Sequence, residues 1–92
     1  MNIRWTRPFT QTLESARLYI AAEDPNAALG VLKRILGTID TLSRFPAAGK
    51  ESKQVAGTRQ VLVPNTPFLI SYRIKNNTVE LLALWHHAQK WP

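Results

Sequence analysis

The stretch that decides the fold is Thr66–Trp85, which reads TPFLISYRIKNNTVELLALW. Two runs rich in β-branched, aromatic and other apolar residues flank the pair Asn76-Asn77. Asparagine adopts positive φ at low cost, so this pair predicts a two-residue type I′ turn between antiparallel strands. We therefore expect strands over Pro67–Lys75 and Thr78–Trp85.

A two-residue turn also sets the register of the hairpin. The predicted pairs are Lys75 with Thr78, Arg73 with Glu80, and Phe68 with Trp85. Side chains alternate between the faces of a strand, so one face of the hairpin is wholly apolar and must be covered by other elements. Its members are Phe68, Ile70, Tyr72, Ile74, Val79, Leu81, Ala83 and Trp85.

The opposite face of the predicted hairpin carries three leucines. They are Leu69, Leu82 and Leu84, which share this face with Ser71, Arg73 and Glu80. A solvated antiparallel face is normally polar, so these leucines need a cover. Either a loop or the tail of the chain folds over them, or a partner does. An open apolar strip with a basic rim would bind an amphipathic acidic segment.

The residues before the hairpin predict a strand and two helices. Asn2–Trp5 is a short strand, and Thr6 is the N-cap of a helix that ends at Glu23. Asp24-Pro25 begins a second helix, which Pro46 stops. Apolar residues recur at helical spacing in both helices. They are Phe9, Leu13, Ala16 and Ile20 in the first helix, and Ala28, Leu32, Ile35, Ile39 and Leu42 in the second.

The remaining segment is a loop over Ala47–Gly57 followed by a strand over Thr58–Val63. The predicted element order is therefore β-α-α-β-β-β. We expect an α+β fold in which a short N-terminal strand and an αα-hairpin precede three strands, with the helices packed on one face of a small antiparallel sheet. Ninety-two residues predict one domain over 1–92.

Composition narrows the classes of function. The chain has no cysteine, so a disulfide framework and a zinc ribbon are excluded. Its net charge is +6. The basic excess favours an anionic partner, although it also serves solubility. Without a signal peptide or a long apolar run, a cytoplasmic protein with no membrane partner is expected.

Few residues offer chemistry. His86 and His87 are the only histidines, and as neighbours on a strand they point to opposite faces, so no metal site is predicted and no cofactor is expected. By alternation His86 shares the face of Leu82 and Leu84. With Lys90 and Trp91 close behind, it could carry a proton in RNA cleavage. It could equally be a tail histidine without a chemical role.

The arginines near the sheet have two interpretations. Arg73 lies opposite Glu80 in the predicted register, and a cross-strand ion pair would account for it. The face on which Arg59 lies is not determined by the pattern. Either arginine could instead meet a phosphate or an acidic partner.

Seven short motifs resemble those of the RelE/ParE superfamily of bacterial toxins. They are IRWT at 3–6, YIA at 19–21, DPNAA at 24–28, LSRFP at 42–46, GTR at 57–59, TPFLISYR at 66–73 and HHAQKWP at 86–92. The resemblance covers nearly the whole chain. It implies a toxin that is neutralised by an antitoxin with a short, acidic C-terminal segment, and that reaches operator DNA only through this antitoxin.

Members of the superfamily divide by target. RelE-like toxins cut mRNA on the ribosome, whereas ParE-like toxins inhibit DNA gyrase. The arginine that the nucleases use in their middle strand falls on Pro67 or Phe68 here, their tail arginine falls on Gln89, and no tyrosine follows the last strand. The resemblance therefore favours a non-enzymatic, ParE-like inhibitor of gyrase, with a ribosome-dependent mRNA endonuclease as the alternative.

These interpretations define three sets of candidate residues. Leu69, Leu82 and Leu84 are predicted to bind the antitoxin. The residues predicted to bind the target are Arg59, Arg73, His86, His87, Lys90 and Trp91. If the chain is a nuclease, the catalytic candidates are His86, Arg59, Arg73 and Lys90.

Overall fold

The computed structural model describes residues 1–87 as two helices on a five-stranded sheet. The strands are β1 (Asn2–Trp5), β2 (Lys50–Glu51), β3 (Arg59–Leu62), β4 (Phe68–Lys75) and β5 (Thr78–His86). The helices are α1 (Arg7–Glu23) and α2 (Pro25–Arg44), and a 3-10 turn spans Pro46–Ala48. Neither helix combines the length and apolarity needed to cross a bilayer.

Both helices begin where the capping residues predict. The Thr6 hydroxyl accepts a hydrogen bond from the Phe9 amide at 3.3 Å. The Asp24 carboxylate accepts from the amides of Asn26 and Ala27. Each cap satisfies amides that the first helical turn leaves without a partner. With proline in the first turn of each helix, the αα-hairpin is confirmed.

The sheet has the strand order β1-β5-β4-β3-β2. β1 runs parallel to β5, and the other three neighbouring pairs are antiparallel. The predicted α+β class and the helix hairpin on the sheet are confirmed, but the sheet is mixed rather than wholly antiparallel. The segment 47–57 is also not entirely loop, because Lys50–Glu51 pairs with β3. Two residues are too few to show a strand period in the sequence.

The core lies between the helix pair and one face of the sheet. Its largest fully buried side chains are Tyr72, Phe9, Ile35, Leu42, Ile70, Leu81, Val63 and Val79. Helix α1 supplies Phe9, and α2 supplies Ile35 and Leu42. The apolar stripes predicted from the sequence therefore supply this core, and part of the α2 stripe packs against α1.

Tyr72 ties the segment before β2 to the middle of the sheet. Its hydroxyl donates to the carbonyl of Pro46 at 2.7 Å and accepts from the amide of Gly49 at 2.8 Å. Burial raises the pKa of this phenol, since the charged form loses its hydration. A Cβ on Gly49 would lie 2.6 Å from the Tyr72 hydroxyl, so this close approach requires glycine.

A β-bulge interrupts the terminal hairpin. Asn76 and Asn77 have φ of 53° and 57°, and the pairs formed by Lys75 with Thr78 and by Arg73 with Glu80 are confirmed. Beyond Tyr72 and Leu81 the register shifts by one residue, because Leu82 is an extra residue on β5. Phe68 therefore faces His86, and its predicted pairing with Trp85 is wrong.

Because of the bulge, the side chains of residues 83–86 point to the face opposite the one predicted for each of them. Leu84 now joins the core at 4% exposure, so its predicted place on the face opposite the helices is wrong. His86 shares the helix-facing side with Phe68, and its predicted place on the face of Leu82 is also wrong. Trp85 and Ala83, which were predicted to face the helices, move to the other side.

Truncation of the two leucines beside the bulge tests this register. We expect Leu84→Ala to lower the free energy of unfolding by about 2–5 kcal/mol, as a fully buried leucine does when a cavity replaces it. Leu82→Ala is the matched control, and its cost should be clearly smaller because Leu82 is only half-buried. Urea unfolding of both variants measures the difference, and equal costs or the reverse order would contradict the bulge.

A candidate docking surface on the open face of the sheet

The face of the sheet that points away from the helices, here called the open face, is organised in three rows. Residues paired across antiparallel strands share a face, so the register gives the membership of each row. The apolar row is Leu62, Leu69 and Trp85. The middle row is Lys50, Gln60, Ser71 and Ala83. The charged row is Arg73, Glu80 and Arg4.

The charged row centres on the carboxylate of Glu80. Arg73 Nε donates to one carboxylate oxygen at 2.5 Å, and Arg4 Nη1 donates to the other at 2.7 Å. Glu80 is only 5% exposed, and the hydrogen bond from Arg73 holds the pKa of its carboxyl below its ordinary value. The predicted ion pair of Arg73 with Glu80 is confirmed, and the row keeps a net positive charge.

The middle row contains a cavity of about 270 Å³. Ser71 and Ala83 lie side by side in it, and the bulged Leu82 lines the same space. Val55, from the loop before β3, contributes to a side wall. This loop therefore reaches part of the open face and leaves a depression there.

The apolar row crosses three neighbouring strands. Leu62 on β3 is 57% exposed, while Leu69 and Trp85 are half-buried. Together with Leu82, these side chains form the apolar surface that the sequence assigned to Leu69, Leu82 and Leu84. The residues described thus leave apolar surface accessible at one end of the open face and cationic surface at the other.

The predicted target residues lie in three separate places. Arg73 is in the charged row. Arg59 pairs with Tyr72 and so belongs to the helix-facing side, where its guanidinium donates to the Gly49 carbonyl at 2.8 Å and lies 3.7 Å from Glu51. His86 packs edge-to-face on Phe68 and lines a groove of about 490 Å³ beside α1.

Three further predicted residues lie near or beyond the end of the described chain. His87 is exposed, and its amide donates to the carbonyl of Pro67 at 2.7 Å. Lys90 and Trp91, which were predicted to bind the target, lie outside the described residues. Within residues 1–87, no three histidine, aspartate or glutamate side chains gather as a metal site.

The three nuclease candidates in the described chain do not converge. His86 pairs with Phe68, five positions along β4 from Arg73, which is about 17 Å at the rise of a strand. The two side chains also lie on opposite faces of the sheet. Arg59 shares the face of His86 but stands two strands away and about four positions along the sheet. A single phosphate cannot contact all three.

Sequence reasoning missed several residues of this surface, Leu62 and Lys50 among them. Arg4 was missed because its neighbour depends on the parallel pairing of β1 with β5, which joins the two ends of the chain. Ser71 was placed on the correct face, but nothing in the sequence marks the cavity beside it. Trp85 was assigned to the wrong face, and no role was predicted for Gln60. Alternation along β3 was the one available signal for Gln60.

Comparison with known proteins agrees with this architecture. A family model described as the ParE toxin of the type II toxin-antitoxin system parDE matches residues 3–91. The protein named "Putative toxin Y4kP" of Sinorhizobium fredii is 37% identical over 91 residues, which covers 99% of this chain and 93% of that protein.

Two solved structures share the fold. A chain of the chromosomal ParDE toxin-antitoxin system from P. aeruginosa superposes with a TM-score of 0.79 at 25% identity, covering 94% of this chain and 95% of that one. A chain of the toxin-antitoxin complex RelBE2 from Mycobacterium tuberculosis gives 0.61 at 25% identity, covering 92% and 95%. The chain belongs to the ParE family of type II toxin-antitoxin toxins, within the RelE/ParE superfamily.

The charged row predicts how stability depends on pH. A carboxyl whose pKa is lowered by folding stabilises the protein above its unfolded pKa, and this contribution is lost as the pH falls through the folded value. We expect Glu80→Gln to be less stable than the parent at neutral pH. The difference should shrink once the pH falls below 4.5, the ordinary pKa of a glutamate. Thermal unfolding between pH 7 and pH 2 measures it.

The exposed Glu51 supplies the control for this variant at neutral pH. Its carboxylate lies 3.7 Å from Arg59 and is largely solvated, so Glu51→Gln should be about as stable as the parent at pH 7. A Glu80→Gln variant as stable as the parent at pH 7 would contradict the role given to the charged row.

Proposed function

We propose that the chain is a ParE-like toxin that inhibits DNA gyrase and is kept inactive by a cognate antitoxin. The observation that carries the proposal is the dispersal of His86, Arg59 and Arg73 over both faces of the sheet. RNA cleavage needs a proton carrier and cations around one phosphate. The described residues of this ParE-family chain do not form such an arrangement. This supports an inhibitor that acts by binding its target.

The open face is the proposed contact for the antitoxin. Its apolar row can bury against an apolar segment, and its charged row attracts carboxylates. Leu69 and Leu82 remain proposed contacts, with Leu62 and Trp85 added. Leu84 supports this surface from the core side instead of touching the partner. An acidic, amphipathic segment matches both rows, and operator DNA would be reached only through the antitoxin.

The proposed gyrase contact uses the cationic groups and the end of the chain. Arg73 stands in the charged row with its guanidinium partly exposed, and His87 is exposed where the described chain ends. Arg59, His86, Lys90 and Trp91 complete the proposed set. Because gyrase acts on chromosomal DNA, this target places the toxin in the cytoplasm.

One observation favours a second function. The likeness to a chain of the RelBE2 complex is compatible with a RelE-like, ribosome-dependent mRNA endonuclease. In that case His86 would carry the proton, and Arg59, Arg73 and Lys90 would meet phosphates. The target would then be the ribosome with its mRNA.

Parallel target assays separate the two functions. The purified chain should inhibit supercoiling by gyrase and leave ribosome-bound mRNA intact. Arg73→Ala should raise the concentration needed for half-inhibition several-fold, because it removes a cation from the contact. The matched control is Arg17→Ala, whose guanidinium pairs with Glu14 on the outside of α1, and it should behave as the parent does.

The opposite pattern would contradict the proposal. Cleavage of mRNA on the ribosome, abolished by His86→Ala, together with unimpaired supercoiling, would establish the endonuclease instead.

A further inference from the structure

We propose that the cavity beside Ser71 receives one anchoring side chain of the antitoxin, with an apolar body and a neutral, hydrogen-bonding tip. The inference rests on the proposed function, since it specifies how the antitoxin holds the open face. Four features carry it: a buried hydroxyl, the size of the cavity, the chemistry of its walls, and the charges on either side.

The first feature is the side chain of Ser71. The residue is 7% exposed, and its Oγ is buried without a hydrogen-bond partner among residues 1–87. Buried hydroxyls are nearly always hydrogen-bonded, because an unsatisfied one costs about 1–3 kcal/mol. Ser71 lines the cavity, so we place the missing partner of its hydroxyl on a group that enters the cavity.

The second feature is the size of the cavity. Its volume of about 270 Å³ far exceeds the roughly 30 Å³ that one water molecule occupies in the liquid. It falls just short of the smallest sites that hold drug-sized ligands, about 300 Å³. The space therefore suits a single large side chain.

The walls define the chemistry of that side chain. Leu82, Ala83 and Val55 present aliphatic carbon, and Trp85 presents an indole. Ser71, beside Gln60, offers a hydroxyl that can both donate and accept. Among residues 1–87, no charged side chain lines the cavity, so a charged tip would be desolvated without a counter-charge from them. Tyrosine, which combines an apolar ring with a hydroxyl, matches these walls best.

The surroundings define what flanks the anchor. Lys50 lies at one end of the middle row, beyond Gln60, and Arg73 and Arg4 lie in the next row. Carboxylates on either side of the anchoring residue would meet these cations. The geometry thus fits an acidic segment that carries one aromatic residue in its middle.

Removal of the Ser71 hydroxyl tests the anchor, because it should have opposite effects on the free and the bound protein. Ser71→Ala should leave the free chain as stable as the parent or more stable, since it deletes an unsatisfied polar group. The same change should weaken binding of the purified antitoxin about fivefold or more, since the anchor loses its partner. Thermal unfolding and titration calorimetry measure the two effects.

A second variant fills the cavity and leaves the hydroxyl in place. Ala83→Leu projects an isobutyl group into the open space beside Ser71, so the chain should still fold while antitoxin affinity falls at least tenfold. The matched control is Ser43→Ala on α2, whose hydroxyl already donates to the carbonyl of Asp40. This control should leave affinity unchanged.

The outcomes separate the anchor from the proposed function. If the parent chain does not bind the antitoxin, the proposed function fails. If the parent binds it but Ser71→Ala and Ala83→Leu bind equally well, the anchor is refuted and the proposed function stands. A Ser71→Ala chain that is less stable than the parent would also refute the anchor, because the hydroxyl would then have a partner inside the protein.

Discussion

The extra residue at Leu82 is the constraint on which both faces of the sheet depend. Before the bulge, Val79 and Leu81 face the helices; after it, Leu84 does. A regular hairpin would send Leu84 to solvent and press the indole of Trp85 into the space that the core packs tightly. The bulge therefore completes the core and, by the same step, releases Trp85 and Ala83 to the open face.

The charged row shows how a nearly buried carboxylate is tolerated on this face. Glu80 on β5 lies between Arg73 of β4 and Arg4 of β1, so one acid links three adjacent strands. Burial of a lone carboxylate would be costly, whereas two guanidinium groups offset the lost hydration. Because both arginines remain partly exposed, the same row stabilises the sheet and keeps a cationic border on the docking surface.

Local signals in the sequence predict most of the fold, and the site much less well. Thr6, Asp24 and the asparagine turn act through neighbouring residues, so the starts of the two helices and the terminal hairpin could be predicted. The bulge could not, because Leu81–Trp85 is an unbroken apolar run in which no alternation marks a change of face. The pairing of Arg4 with Glu80 and the cavity at Ser71 depend on strands far apart in the chain, and no short pattern encodes them.

The most direct test of the open face as the docking surface is the affinity of the antitoxin for two leucine variants. Leu62→Asp places a charge in the apolar row, and Leu36→Asp places the same charge on α2, where Leu36 is 45% exposed. We expect Leu62→Asp to lower affinity at least tenfold, about 1.4 kcal/mol, and Leu36→Asp to have little effect. Equal affinities, or a loss confined to Leu36→Asp, would contradict the assignment of the open face as the docking surface.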